Sequence, residues 1–167
     1  MNVEIIDQLI EQDPSLESSR PALEAMNEGA SCIHRSWGLG KVTGFDTDRG
    51  MLLIDFEDDE RKSHAMDPVF CLGKIEFLEV DHIISRHRLN PEEIDTMAKK
   101  EPVNLIIEIL TKFEDGCAAN RDIERILGLL FGPAKAKKWW TATKKLLVKD
   151  ARVAVPNKKT EPYVLID

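Results

Sequence analysis

The histidines and cysteines of this sequence are the residues best suited to binding a metal ion, so their spacing indicates whether such a site is present. Cys32 and His34 are separated by one residue, and no second pair at metal-ligand spacing follows them. His64 and Cys71 could complete a site only if the fold collected four ligands from separate segments. Ordinary packed or surface positions explain these residues better. The sequence therefore predicts no metal site.

Catalytic patterns are also missing from the sequence. The acidic run Asp58–Glu60 could hold a divalent cation, but a short acidic loop is usually only solvated. We find no nucleophile with its base, no glycine-rich loop that would cradle a phosphate, and no dinucleotide fingerprint. We expect a protein that is not an enzyme, with no cofactor and no small-molecule substrate.

Lysines give the strongest chemical signal, and they lie near the end of the chain. Residues 133–159 hold nine basic residues against one acidic residue, Asp150. A helix is predicted over Ala134–Val148. If the same helical spacing continues to residue 149, Lys138, Lys145 and Lys149 fall on one face, as expected of a helix laid along phosphates. The candidate nucleic-acid-binding residues are Lys135, Lys138, Lys145, Lys149, Lys158 and Lys159. An ordinary solvated helix face explains the same pattern about equally well.

Two adjacent tryptophans, Trp139 and Trp140, lie in the same lysine-rich helix. Successive residues on a helix point about 100° apart, so the two rings cannot face the same way. We expect one of them in the core. The other would cover the helix edge or offer a stacking or cation–π surface.

Charge is unevenly distributed along the 167 residues, whose net charge is −7. Residues 1–29 hold seven acidic residues against Arg20, and residues 44–60 hold seven against Arg49. The front half is therefore a poor nucleic-acid binder, whereas the back half could be a good one. No apolar run is long enough to span a bilayer, no signal peptide is seen, and the odd number of cysteines fits a reducing compartment. We expect a cytoplasmic protein without a membrane partner.

Hydrophobic periodicity divides the chain into a helical start, a β-rich middle and a helical end. Short helices are expected over Val3–Glu11 and Pro21–Asn27. Five strands are predicted near Ser31–Arg35, Gly40–Asp46, Met51–Phe56, Lys62–Met66 and Lys74–Leu78, with a helical turn at Asp67–Leu72. Tight turns between short strands are typical of an SH3-like barrel, which Phe70 and Leu72 would help to fill.

The remaining residues have helical periodicity and then a hairpin. Helices are expected over Asp81–Arg88, from Asn90–Pro91 to Lys100, from Pro102, and from an Asn120 cap, before the lysine-rich helix. Strands at Arg152–Val155 and Tyr163–Ile166 would form a C-terminal wing. We predict an α+β fold: an N-terminal helical arm over 1–29, an SH3-like (Tudor/CarD-type) β-barrel over 30–80, and a winged-helix-like domain over 81–167.

Two blocks of sequence resemble a known family. The first is the run from His34 through Trp37-Gly38-Leu39-Gly40-Lys41-Val42, with Leu53-x-Asp55-Phe56 and His64-x-Met66 after it. It resembles the Tudor/SH3-like domain of CarD-type proteins and of UvrD/PcrA helicases. The second runs from Lys138-Trp139-Trp140 to Pro162. Together, over roughly residues 27–167, they are similar to the N-terminal extension of some Gre-type (GreA/GreB) transcription elongation factors.

This resemblance implies a bacterial transcription-associated protein whose barrel docks on RNA polymerase. The protein-binding residues would be Trp37, Leu39 and Lys41, with Trp37 partly buried at the mouth of the barrel. Gre-type transcript cleavage depends on a long coiled coil with an acidic tip, and this chain has no long heptad segment. No catalytic residue is therefore carried over. The expected partners are RNA polymerase and a DNA or RNA backbone; the alternative is a protein–protein adaptor without nucleic-acid contact.

Overall fold

A computed structural model describes residues 1–60 and 62–166, and the chain divides into two compact units, Met1–Val80 and Asp81–Asp167. Together they contain helices and antiparallel sheets, which confirms the α+β class. None of the described helices is long and apolar enough to cross a membrane. The division into three domains stays a prediction.

The first unit begins with helix α1 (Val3–Gln12), a 3₁₀ helix (Pro14–Ser19) and helix α2 (Arg20–Glu24). Side chains define these boundaries: the Asn2 carboxamide oxygen accepts the Glu4 N–H at 2.9 Å, and Asp13 caps the 3₁₀ helix. The 3₁₀ helix was not predicted, and α2 ends earlier than expected. The Asn27 amide donates to the Glu24 carbonyl at 2.6 Å, which satisfies an end group of the helix from outside it.

Five antiparallel strands follow: β1 (Ser31–His34), β2 (Gly38–Asp46), β3 (Met51–Phe56), β4 (His64–Met66) and β5 (Ile75–Phe77). The spatial order is β4-β3-β2-β1-β5, with a bulge in β2 between Val42 and Gly44. All five predicted strands are present, with ends shifted by up to two residues. The described residues form an open sheet, and its closure into an SH3-like barrel stays a prediction.

The N-terminal helices and the sheet share one hydrophobic core. The buried members of this core are Met1, Ile6, Leu23, Met26, Cys32, Val42, Leu52, Ile54, Phe56, Met66, Cys71 and Ile75. Phe70 was predicted inside, but it is 56% exposed. It lies on helix α3 (Pro68–Cys71), where only Pro68 and Cys71, three positions apart, turn inward. Leu72 is half-buried against the core.

The second unit contains helices α4 (Ile83–Leu89), α5 (Pro91–Lys100), α6 (Pro102–Leu110), α7 (Asn120–Phe131) and α8 (Pro133–Leu147), with a 3₁₀ turn at Glu114–Gly116. Prolines open α5, α6 and α8, where a missing N–H costs nothing. The completely buried side chains of this unit include Ile94, Leu105, Ile106, Ile109, Leu110, Ile123, Leu127 and Leu147.

Three short strands complete the second unit: β6 (Cys117–Ala118), β7 (Val153–Ala154) and β8 (Tyr163–Leu165), in the order β6-β8-β7. The hairpin of β7 and β8 agrees with the sequence prediction, although both strands are shorter. Strand β6 was missed, because two residues carry no alternating pattern. The predicted Asn120 cap is wrong: α7 makes no side-chain cap, and the Asn120 carboxamide oxygen accepts a hydrogen bond from Trp140 instead.

Candidate nucleic-acid interface

Helix α8 has one buried side, which fixes the direction of its lysines. Its buried residues are Ala136, Trp140, Thr143 and Leu147, an i, i+4, i+7, i+11 stripe. At about 100° per residue, Lys138 and Lys145 point within about 20° of each other and away from that stripe. Both are exposed, as is Lys135 on the flank of the same face. The structure thus places these three lysines on the exposed side of the helix, and their contact with nucleic acid stays a prediction.

The buried indole of Trp140 sets the rotation of α8 about its axis. Its Nε1–H donates to the Asn120 carboxamide oxygen at 2.9 Å, and its ring lies 5.3 Å from that of Tyr163 on β8. Trp140 is only 2% exposed, so it is the tryptophan that fills the core. Lys144 holds its Nζ 5.1 Å from the Trp140 ring centre, a cation–π contact at the helix edge.

Trp139 covers the neighbouring flank of α8 and is half-buried. Its Nε1–H donates to the Ala98 carbonyl near the end of α5 at 2.9 Å, and its ring lies 5.7 Å from Phe131. Lys135 places its Nζ 5.4 Å from the Phe131 ring centre. This tryptophan therefore covers the helix edge, and its N–H group is already used within the protein.

The remaining predicted lysines lie outside the helix. Lys149 was expected on the common face, but α8 ends at Leu147, and the Lys149 amide donates to the Leu146 carbonyl in the turn that follows. Lys158 and Lys159 lie in the loop 155–162 between β7 and β8, where the Glu161 N–H closes a turn on the Lys158 carbonyl at 3.1 Å. All three lysines are exposed.

The six predicted lysines remain available to a ligand. In the part of the chain that the structure describes, none of them forms an ion pair with a carboxylate. By contrast, the nearby Arg152 is bound on two sides, to Asp150 at 2.8 Å and to the Asn104 carboxamide at 3.0 Å. The Arg152 guanidinium also holds the pKa of Asp150 at about 2, so this acidic residue stays charged and paired.

The predicted protein-binding residues of the first unit lie around β2. Trp37 is half-buried and stacks on His34 with ring centres 4.1 Å apart and planes 12° apart. Lys41 is exposed and lies opposite Asp55 of β3. Leu39 does not fit its predicted role, because it is 6% exposed and points into the interior.

Two histidines that the sequence analysis left without a role support Trp37. The His34 Nδ1 accepts the backbone N–H groups of Ser36 and Trp37 at 3.0 and 3.1 Å, and His64 lies 4.6 Å from the Trp37 ring. Burial, and secondarily the proximity of His64, lower the pKa of His34. The three-residue spacing of His34 and Trp37 could have indicated their contact. The position of His64 beside Trp37 could not be predicted in this way, because it results from the pairing of β3 and β4.

The tight entry into β2 depends on Gly38. Its φ of +69° belongs to the left-handed region, and a Cβ there would lie 2.6 Å from the Asp58 carboxylate.

In residues 1–60 and 62–166, no three His, Cys, Asp or Glu side chains gather where they could hold a metal ion.

The chain is similar to a known domain family and to several known proteins. The family model of the GRAD helix-turn-helix domain matches residues 84–167. Two proteins named transcription elongation factor GreA, from Chlamydia pneumoniae and Chlamydia trachomatis, are each 28% identical over 85% and 83% of this chain. A putative GreA-associated domains protein from Treponema pallidum is 25% identical over 78% of the chain.

The chain spans about a fifth of the length of these curated relatives: the matched regions make up 20%, 19% and 21% of their respective lengths. No solved structure matches it. The relatives confirm the resemblance to the region associated with Gre-type factors, whereas the Tudor/CarD relationship stays a prediction.

Proposed function

Because the chain belongs to the GRAD helix-turn-helix domain family, we propose that it is a non-enzymatic, transcription-associated binding module. Its second unit contacts nucleic-acid phosphates through α8 and the loop 155–162, and its first unit docks on RNA polymerase. The observation that carries the proposal is the exposed basic face of α8 within a helix-turn-helix unit. The three free cysteines support a location in the reducing cytoplasm.

The order of elements supports a winged-helix form of the second unit. Helix α6 is followed by β6, then α7, α8, β7, the loop 155–162 and β8, and β8 lies between β6 and β7 in the sheet. In this arrangement α8 acts as the recognition helix, as the second helix of a helix-turn-helix does, and the loop acts as the wing. Both carry exposed lysines, so the charge agrees with the topology.

Binding through this face is expected to be largely independent of base sequence. Between Lys138 and Lys145 the exposed face carries Thr141 and Ala142, and the Thr141 hydroxyl donates to the Lys137 carbonyl at 2.9 Å. Sequence readout requires side chains that bond to base edges, whereas lysines bind phosphates as point charges. Affinity should therefore depend steeply on salt.

The test is the salt dependence of binding to a labelled duplex by fluorescence anisotropy. Replacing Lys138 and Lys145 by glutamine should lower the slope of log K against log salt by about 1.8, because each phosphate contact contributes about 0.9. Lys62→Gln with Lys74→Gln is the control: both lysines are exposed in the first unit and the charge change is equal. Equal slopes in the two variants would refute the assignment of this face.

The strand order of the first unit supports docking through an SH3-like barrel. The order β4-β3-β2-β1-β5, with the long, bulged strand β2 in the middle and the short helix α3 between β4 and β5 along the chain, is the one expected of such a barrel. We assign the docking surface to Trp37 and Lys41, with Leu39 supporting them from within. The names of the relatives, transcription elongation factor GreA, make RNA polymerase the partner to test.

A pull-down from bacterial lysate, with and without nuclease, tests this part of the proposal. Polymerase that is retained after nuclease treatment, and lost with Lys41→Glu, supports direct docking. Lys74→Glu is the matched control, since it makes the same charge change at another exposed position of the same unit. Loss of polymerase upon nuclease treatment alone would refute direct docking and leave only the second unit as the link.

The charge separation favours one alternative, a protein–protein adaptor without nucleic-acid contact. Residues 1–80 hold seventeen acidic and seven basic residues, whereas the second unit has sixteen basic and thirteen acidic residues. Oppositely charged partners could then bind the two units separately. Competition distinguishes the two functions: excess duplex should displace the partner of the basic face only if that face binds nucleic acid.

A further inference from the structure

The end of helix α5 is fixed against one flank of α8. The hydrogen bond from Trp139 Nε1–H to the Ala98 carbonyl, 2.9 Å long, joins residues 41 positions apart in the chain. Ala98 is buried, and the two residues after it, Lys99 and Lys100, form the exposed last turn of α5. The bond therefore brings two more lysines to the helix that carries Lys138.

Lys99 and Lys100 are free to meet a ligand. Over residues 1–60 and 62–166, neither lysine pairs with a carboxylate. Of the three acidic residues of α5, Glu92 and Glu93 lie in its first turn, and Asp95, one turn before Lys99, places its Oδ1 3.5 Å from the His87 Nε2. The last turn thus presents two exposed lysines, with Glu101 directly after it, although the helix as a whole is not basic.

The two tryptophans show that α8 is flanked by different elements on different sides. Trp139 contacts the end of α5, whereas Trp140, about 100° further round the helix, contacts Tyr163 of β8. Strand β8 follows directly after the loop that carries Lys158 and Lys159. Basic residues thus stand beside α8 both at the α5 side and on the hairpin that β8 belongs to.

From this arrangement we propose that Lys99 and Lys100 bind DNA phosphates on the α5 side of α8, and that the loop 155–162 binds others on the side of β8. The inference rests on the proposed function of α8. A helix with its side chains is about 10–12 Å across, and the major groove of B-form DNA is about 12 Å wide. A helix in that groove has a phosphate strand on each side, so two lysine clusters that flank α8 match a duplex.

The exposed face of α8 suits such an approach. Its surface between the lysines is made of the small residues Ala134, Thr141 and Ala142, which let the helix come close to the groove floor. The major groove of A-form RNA is too deep and narrow for side chains to read, so the ligand is B-form DNA and not duplex RNA. A single strand would occupy only one of the two lysine clusters.

The experiment compares two double variants of the full chain. The first combines Lys99→Gln and Lys100→Gln, and the second combines Lys138→Gln and Lys145→Gln. A short fluorescein-labelled DNA duplex, the matching RNA duplex and the single DNA strand are the probes. For the DNA duplex, the first variant should lower the salt slope by about 1.8, so that the loss of affinity from about 50 to about 200 mM salt becomes about twelvefold smaller. Binding of the single strand should change much less.

Two further variants make the result decisive. Lys99→Arg with Lys100→Arg keeps both charges and should retain wild-type slope, which separates phosphate binding from an effect on the α5 terminus. Lys62→Gln with Lys74→Gln controls for net charge. If the α5 variant binds the DNA duplex like the wild type while the α8 variant is weakened, this inference is wrong and the proposed function stands. If neither variant changes binding, the proposed function itself fails.

Discussion

Gly40 offers the sharpest test of the packing beneath the Trp37 surface. It lies on β2 between Cys32 of β1 and Phe56 of β3. An added Cβ would lie 2.7 Å from two carbons of the Phe56 ring and 2.9 Å from the Cys32 Sγ. Both neighbours are completely buried, at 1% and 0% exposure, so neither can withdraw into solvent. We predict that Gly40→Ala destabilises the first unit.

The magnitude follows from two opposing effects. Overpacking a dense core by one methyl group costs about 1–3 kcal/mol. Alanine also restricts the unfolded chain, which returns about 0.4–1 kcal/mol. The expected net loss is therefore about 1–2 kcal/mol. Gly44, on the same strand, is the matched control, because a Cβ there would meet nothing within 4 Å. Gly44→Ala should be neutral or slightly stabilising.

Native-state hydrogen exchange, read by mass spectrometry, measures this loss in the first unit alone. The slowest amides of β2 and β3 should exchange about tenfold faster in Gly40→Ala, since about 1.4 kcal/mol corresponds to a factor of ten. Peptides from α7 and α8 serve as the internal reference and should not change. Equal exchange in Gly40→Ala and Gly44→Ala would show that the contacts around Gly40 are not as tight as the structure has them.

Two other perturbations follow from side-chain hydrogen bonds. Trp140→Phe should lower the free energy of unfolding of the second unit by about 1–3 kcal/mol, because it removes the donor to Asn120, and thermal denaturation will measure the loss; an unchanged midpoint would mean that this bond contributes nothing. His34 accepts two backbone N–H groups, and its pKa lies below the ordinary 6.5. Its contribution to stability should therefore be complete above pH 6.5 and be lost as the pH falls through the folded-state pKa. Urea midpoints across this range should fall less steeply in His34→Gln than in the wild type; parallel curves would contradict the assignment.

Elements with a long hydrophobic period were predictable from the sequence. Helix α8 has a stripe of four buried residues and opens with a proline, and β2 and β3 carry several alternating positions. Their position in the chain agrees with the predictions to within about two residues. The shortest element was missed, because the two residues of β6 show no period; the helical turn predicted at Asp67–Leu72 is present as α3, but its four residues do not indicate which side chains face inward. Phe70 was misplaced for this reason.

Side-chain roles that depend on distant partners were also out of reach. The sequence implied that one tryptophan of the pair is buried, but not which one. Trp140 is the buried one because Asn120 and Tyr163, twenty or more positions away, provide a bond to its N–H and a ring to pack against. Asn120 could not then be recognised as anything but a cap, since its partner is invisible in a linear pattern.

A count of charges along the chain cannot locate the whole candidate interface, because distant partners also decide which ends of the helices face each other. Helix α5 has three acidic residues and two lysines, so a window over Pro91–Lys100 is not basic. The helix nevertheless separates the lysines from the first two acidic residues: from Glu92 to Lys99 the axis rises about 10 Å, which is close to the screening length of physiological salt, and the third, Asp95, lies beside His87. A ligand at the last turn is therefore largely screened from the acidic turn. Only the bond between Trp139 and Ala98 shows which of the two ends faces α8, and that is the end with the lysines.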